Sequence, residues 1–290
     1  VFIAGAISTF AFVAATVVVS ISSQIPHAIF PITFAVAGAT KNKSALFASD
    51  ICSIALIFIM FYGGFGTNWK MAKPIAVQSI LMSSLGVVIT AGLTGLFSSI
   101  VFKTSLLEGL LIGAVIASTD AAAVFAILRS QKLNLKGSIA SILEIESGSN
   151  DPFAYMLTII ILGLMSNQGY GSIVPMLLNQ IIVGILASIV LAKLSVYLLR
   201  NVMFEIEGFY TIFVTAIAIL SYALSEYLGG NGYLSVYIAG IIIGNSVIPR
   251  KKSMFHFFDG ISWIMQIALF FMLGLLSFPS KLPYVSGKAV

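Results

Sequence analysis

Three of the ten carboxylates in this 290-residue chain, Asp120, Glu146 and Asp151, sit inside long apolar runs with no Lys or Arg within a turn or two. An acid at the centre of a bilayer costs about 2.5–3.5 kcal/mol on insertion scales, so such a residue marks a functional site by default. The stretch Glu144-Ile-Glu-Ser-Gly-Ser-Asn-Asp-Pro-Phe153 carries two of them. Helical spacing there pairs Glu146 with Asn150 and Ser147 with Asp151, each at i, i+4, and puts four polar groups on one broad face of an apolar helix. Gly148 admits a close backbone neighbour, and Pro152, lacking an N–H, frees the carbonyl one turn back at Gly148. All the ligand atoms in this set are oxygens. Carboxylate, amide and hydroxyl oxygens with no Cys or His nearby are wrong for zinc or copper and suit an alkali cation or a proton.

Other chemistries fit these residues less well. Interhelical hydrogen bonding is a fair account of Ser147, Ser149 or Thr119 singly, but a poor one of two acids facing a third, since uncharged residues do it at lower cost. Intramembrane serine hydrolysis needs a base beside the nucleophile. The two histidines are His27 and His256, and Ser147 lies in no Gly-x-Ser-x-Gly elbow. Asp120 with Asp151 matches the count of an aspartyl intramembrane dyad, but the Glu-Ser-x-x-Asn-Asp context has no role in one. A cation channel suits oxygen-lined spans, yet no filter-like segment repeats. No enzymatic activity and no cofactor are expected.

The elements that must place these groups are membrane-spanning helices. The chain is 59% hydrophobic and 9% charged, with a mean hydropathy of +1.07, whereas soluble chains carry roughly 25% charged residues. The fold class expected is an all-α polytopic bundle, one transmembrane domain over residues 1–290. Hydropathy predicts ten spans, at roughly 2–21, 28–40, 50–65, 74–102, 106–128, 138–166, 172–199, 208–227, 232–247 and 260–279. Runs such as Ile54-Ala-Leu-Ile-Phe-Ile-Met60 are continuously apolar and lack the alternation of barrel strands. Ten Lys and Arg fall in the odd-to-even connections and five elsewhere, which predicts that the odd-to-even loops are cytoplasmic. The net charge of +5 follows from these loops and needs no nucleic acid. Asp50, Glu108, Glu205, Glu207, Glu226 and Asp259 fall near span ends, within reach of water. The single cysteine, Cys52, forms no internal disulfide. Val1 opens directly on an apolar run without a basic leader, so the chain is expected to be a piece of a longer protein.

Several blocks carry a resemblance. Ser118-Thr-Asp-Ala-Ala-Ala-Val-Phe125, Leu133-Asn-Leu135 and Leu143-Glu-Ile-Glu-Ser-Gly-Ser-Asn-Asp-Pro152 resemble the fifth- and sixth-span motifs of the monovalent cation:proton antiporter family, on its electroneutral sodium or potassium branch. Gly232-Tyr-Leu-Ser-Val-Tyr-Ile-Ala-Gly-Ile-Ile-Ile-Gly-Asn245 is similar to the family's ninth span and Phe270-Phe-Met-Leu-Gly-Leu275 to its tenth. The resemblance implies inverted repeats with broken helices, of whose thirteen spans about ten are here. It implies that Asp151 is the main cation- and proton-binding carboxylate, with Ser147 and the Thr119 backbone as further ligands. Glu146 would act through water or as a stabiliser, while Asp120 and Asn150 would hold a crossing of unwound chain. Asn at position 150 goes with one-for-one exchange. Tyr62 stands where the third span of the family usually carries an acid, so no ligand is expected from that helix. The partners expected are a monovalent cation, protons, membrane lipid and a second copy in a homodimer, at the plasma membrane.

Overall fold

The computed structural model describes residues 43–119, 139–165, 173–201 and 206–276. The predicted spans 2–21 and 28–40, and Asp120, lie outside these residues. Among the described residues the secondary structure is helical: α1 (Lys43–Gly66), a short α2 (Trp69–Ala72) running through a 3-10 turn into α3 (Ala76–Phe102), α4 (Leu106–Ile116), α5 (Ile139–Met165), α6 (Ile173–Asn201), α7 (Glu207–Tyr227), α8 (Gly232–Gly244) and α9 (Lys251–Leu276). Among the described residues four segments are long and apolar enough to cross a membrane: Trp69–Phe102, Pro175–Asn201, Glu207–Tyr227 and Lys251–Met272. Asp50–Gly66, Leu106–Ile116 and Gly232–Gly244 are shorter apolar helices.

Three boundaries differ from those predicted, the first being that α1 begins at Lys43, seven residues before the predicted 50. α4 ends at Ile116, not near 128, and Ser118 and Thr119 are non-helical. α9 begins at Lys251, nine residues before the predicted 260. Lys251, Lys252, His256 and Asp259 depress hydropathy there, but Met254 and Phe258, one turn apart, are fully buried and give the helix an inner face.

Burial in α3 is the reverse of that in a water-soluble protein. Its buried positions are Ser79, Ser83, Val87, Ala91, Gly95 and Ser98, while Val77, Leu81, Leu85, Leu93 and Ile100 are exposed. Large apolar side chains on the outside and small residues at the seam are what a lipid-facing helix requires. The seam partner is α4. Lys103 turns the chain in the left-handed region (φ 54°), and Ser105 then starts α4 with a capping box, its N–H donating to Glu108 Oε2 at 2.8 Å. A Cβ on Gly113 would lie 2.2 Å from the Ala91 carbonyl oxygen, so backbone meets backbone.

α8 lies at the centre, packed on α1, α6 and α7. Being apolar all round, it suits a buried position, and Tyr233, Val236, Tyr237, Ala239 and Ile243 are buried. α1 and α8 touch along glycines: Cβ atoms at Gly64, Gly240 and Gly244 would lie 2.2, 2.6 and 2.2 Å from backbone oxygens across the seam. On the other side of α1 an aromatic stack seats α9, with Phe61 and Phe258 ring centroids 4.8 Å apart and Phe65 and Phe258 at 5.9 Å. The α3–α4 pair and the α1–α8–α9 group both pack against α5 or its flanks, which places the polar stretch of α5 inside the protein.

Candidate functional site

The site is built from the first half of α5 and the non-helical residues that end α4. Ser147 and Asn150 are fully buried and Ser149 nearly so. Glu146 and Asp151 are partly exposed. Pro152 sits inside the helix and supplies no N–H to the carbonyl of Gly148. Gly148 is covered instead by Tyr237 of α8: a Cβ there would lie 2.7 Å from a ring carbon and 2.8 Å from the hydroxyl oxygen. A side chain at this position would displace the far end of the Tyr237 ring.

The chain leaving α4 crosses this polar face. Ser118 Oγ donates to Asp151 Oδ1, and Thr119 Oγ1 lies 3.3 Å from Ser147 Oγ. Asn150 Nδ2 donates to Thr119 Oγ1 and, at a long 3.5 Å, to Glu146 Oε1. Among the described residues Asn150 Oδ1 is a buried acceptor with no donor, an atom suited to meeting a water or a cation. Five of the six residues singled out from the sequence, Thr119, Glu146, Ser147, Asn150 and Asp151, thus come together; the sixth, Asp120, follows Thr119 directly in the chain. The cluster is a set of hydroxyl, amide and carboxylate oxygens, without sulfur or imidazole, and it can hold a hard monovalent cation or a proton.

Sequence reasoning missed four supporting residues. Ser118 stands in the quoted motif, but nothing in its type distinguishes a serine that meets a carboxylate from one that joins helices. Asn231, in the turn Gly229-Gly-Asn-Gly232, is 1% exposed. Its Oδ1 caps α8 by accepting from Leu234 N at 2.9 Å, and its Nδ2 donates to the Pro152 carbonyl at 3.4 Å. The residue after Asp151 is thereby tied to the α7–α8 elbow. Asn245 at the far end of α8 accepts from Trp69 N at 2.8 Å and donates to the Thr67 carbonyl at 2.8 Å, clipping α8 to the turn after α1. Tyr62, which replaces the acid expected on α1, donates its hydroxyl to Asp259 Oδ1 on α9.

The sequence matches the family model described as sodium/hydrogen exchanger, transmembrane, over residues 8–289. It is 38% identical over 247 residues to the K(+)/H(+) antiporter NhaP of Alkalimonas amylolytica, a match that covers 84% of this chain and 43% of that protein. It is 35% identical over 235 residues to the K(+)/H(+) antiporter NhaP2 of Shewanella oneidensis, covering 80% of this chain and 41% of the relative. The chain therefore spans less than half the length of these curated relatives. The fold is similar to that of the sodium proton antiporter MjNhaP1 from Methanocaldococcus jannaschii, with a TM-score of 0.63 and 23% identity over 77% of this chain and 56% of that one. With its membrane-type helices, the unwound end of α4 laid across the polar face of α5, and a family match over nearly its whole length, the chain belongs to the sodium/hydrogen exchanger family.

Proposed function

We propose that the full-length protein exchanges a monovalent cation for a proton across the cell membrane, one for one, with Asp151 as the carboxylate that carries either. The observation that supports this most is the meeting of Asp151, Ser147 and Asn150 with the non-helical Ser118 and Thr119, in a region where two of the five side chains are fully buried. An ionised carboxylate is costly in such partly buried surroundings, and either a proton or a cation relieves that cost. The two compete for one group. If only the neutralised forms pass between outward- and inward-open states, the empty charged form is trapped by its own desolvation and exchange is obligatory.

In this reading Asp151, Ser147 and the Thr119 backbone hold the cation, and Glu146 acts through water. Asn150, whose amide binds both Glu146 and Thr119, keeps Glu146 from cycling and holds the crossing together with Asp120. The end of α4 at Ile116 supports a broken-helix architecture with inverted repeats, the arrangement by which secondary transporters place sites near the bilayer midplane. The odd-to-even loops face the cytoplasm and the working assembly is a homodimer. Potassium is the first cation to try, since two of the relatives are named K(+)/H(+) antiporters, and sodium the second.

The test is dequenching of a pH dye in vesicles holding the full-length protein, with potassium, sodium and lithium added in turn. Asp151→Asn keeps the shape and removes the titrating group, so cation-dependent proton movement is expected to vanish while the melting temperature stays near wild type. Exchange at a near wild-type rate in that variant refutes the assignment.

A further inference from the structure

The α7–α8 elbow holds a carboxylate that the exchange cycle does not use. Glu226 lies one residue before the end of α7 and is partly exposed. Its Oε1 accepts from the Gly232 amide at 2.9 Å. Among the described residues no ion pair neutralises its charge, the ion pair there being Arg250 with Glu207, and residues 166–172 and 228–231, the two connections nearest the elbow in the chain, contain no Lys or Arg. Capping α8 does not account for the charge, since capping needs only an acceptor and Asn231 already provides one to Leu234.

Tyr222 stands beside it, and Tyr233 and Tyr155, from two other helices, continue a row of rings that starts there. Tyr222 and Glu226 both pack on the bare Cα of Gly232, where an added Cβ would lie 2.6 Å from a Tyr222 ring carbon and 2.9 Å from Glu226 Cγ. The ring centroids of Tyr222 and Tyr233 are 5.0 Å apart, and those of Tyr233 and Tyr155 5.3 Å. Tyr155 and Tyr222 both lie within electrostatic reach of Glu226. Tyr155 is on α5 four residues beyond Asp151, about 6 Å along the helix axis. An uncompensated carboxylate concentrates cations around it, aromatic rings add attraction at their faces, and phenol oxygens are hard ligands.

We propose that Glu226, with Tyr155, Tyr222 and Tyr233, forms a second monovalent-cation site, which captures sodium or potassium before the ion enters the exchange site. The onward passage rests on the exchange reading; the capture does not.

Two measurements on the full-length protein separate these. The first is broadening of the sodium NMR line by the purified Asp151→Asn variant, in which the exchange site is disabled. Broadening that persists, is competed by potassium and disappears when Glu226→Gln is added supports capture. Gln keeps an acceptor for Gly232, so the melting temperature is expected to be unchanged. The second is exchange by Glu226→Gln in an otherwise wild-type chain. Loss of the charge raises the half-saturating cation concentration at the face bearing the elbow by at least about threefold with the maximal rate retained. Equal line broadening with and without Glu226→Gln overturns the proposal, as does an unchanged half-saturating concentration. A lowered maximal rate together with a lowered melting temperature also overturns it, because that is the signature of a structural cap. Glu226-dependent broadening in a wild-type protein that moves no protons would refute the exchange reading and leave the capture site standing.

Discussion

Replacing Gly64 by alanine puts a methyl group where there is no room for one. The added Cβ would lie 2.2 Å from the Tyr237 carbonyl oxygen and 3.1 Å from the Ile241 nitrogen, whereas a carbon and a carbonyl oxygen rest at about 3.3 Å or more. Both sides of the contact are helix backbone, so no side-chain rotation relieves it, and α8 must move about 1.1 Å away from α1. A gap of that size forfeits roughly a quarter to a half of the dispersion energy along the seam, and overpacking of this kind costs about 1–3 kcal/mol or more. Gly86 and Gly92 provide the control, since a Cβ at either meets nothing within 4 Å. Alanine there is expected to stabilise α3 by about 0.5–1 kcal/mol. The two kinds of variant thus differ by about 1.5–4 kcal/mol; at about 2–4 °C per kcal/mol, Gly64→Ala melts several degrees below Gly86→Ala. The measurement is thermal unfolding of the purified variants in detergent, followed by exchange in vesicles. Exchange should also fall in Gly64→Ala, because Tyr237 meets Gly64 through its carbonyl and Gly148 through its ring, and displacing α8 displaces the ring. If Gly64→Ala and Gly86→Ala melt together, the close approach of α1 and α8 is wrong.

Three further outcomes follow from the same geometry. With Asp151 as the one cycling acid, sodium:proton exchange in vesicles clamped with potassium and valinomycin should be insensitive to potential; 100 mV is worth about 2.3 kcal/mol per charge moved, so a severalfold, sign-dependent change would mean that Glu146 or another group also cycles. Cysteine at position 228 in a Cys52→Ala background should react with an impermeant maleimide in intact cells, and cysteine at 252 should not; the opposite pattern overturns the sidedness. Asn231→Ser keeps a cap for Leu234 but falls short of the Pro152 carbonyl, and loss of that hydrogen bond, about 0.5–1.5 kcal/mol, should weaken apparent cation affinity about two- to tenfold with the fold retained. Unchanged affinity would show that the tie does not hold Asp151 in place.

What the sequence made legible was chemistry out of place in its surroundings. Glu146, Ser147, Asn150 and Asp151 stand out because each is polar in an apolar run and their i, i+4 spacing alone puts them on one face. The helices were legible wherever hydropathy was continuous. α9 escaped in part because its first two turns hide Met254 and Phe258 behind Lys251, Lys252 and His256. The end of α4 was not legible either, since Ala117 and the residues after Thr119 through Phe125 have few polar groups to break the hydropathy signal. The supporting bonds were invisible for a different reason. Asn231 looks like a turn residue among glycines, and Tyr62 and Asp259 are 197 positions apart. Such pairs depend on how helices are placed relative to one another, which local spacing does not report.

The length of α4 bears on how the protein is made. Eleven residues rise about 16 Å, roughly half of a hydrocarbon core of about 30 Å, and the segment ends in polar, non-helical chain. Such a stub has no thermodynamic reason to remain in a bilayer by itself. It is joined instead, across two residues beyond the Lys103 turn, to the long lipid-compatible α3, and it lies against that helix backbone to backbone. During biosynthesis α4 is therefore expected to enter as a passenger of α3, the two inserting as one hairpin. Ser118 and Thr119, which α4 delivers, would then already be held in place when α5, synthesised later, brings Asp151 and Asn150 to them.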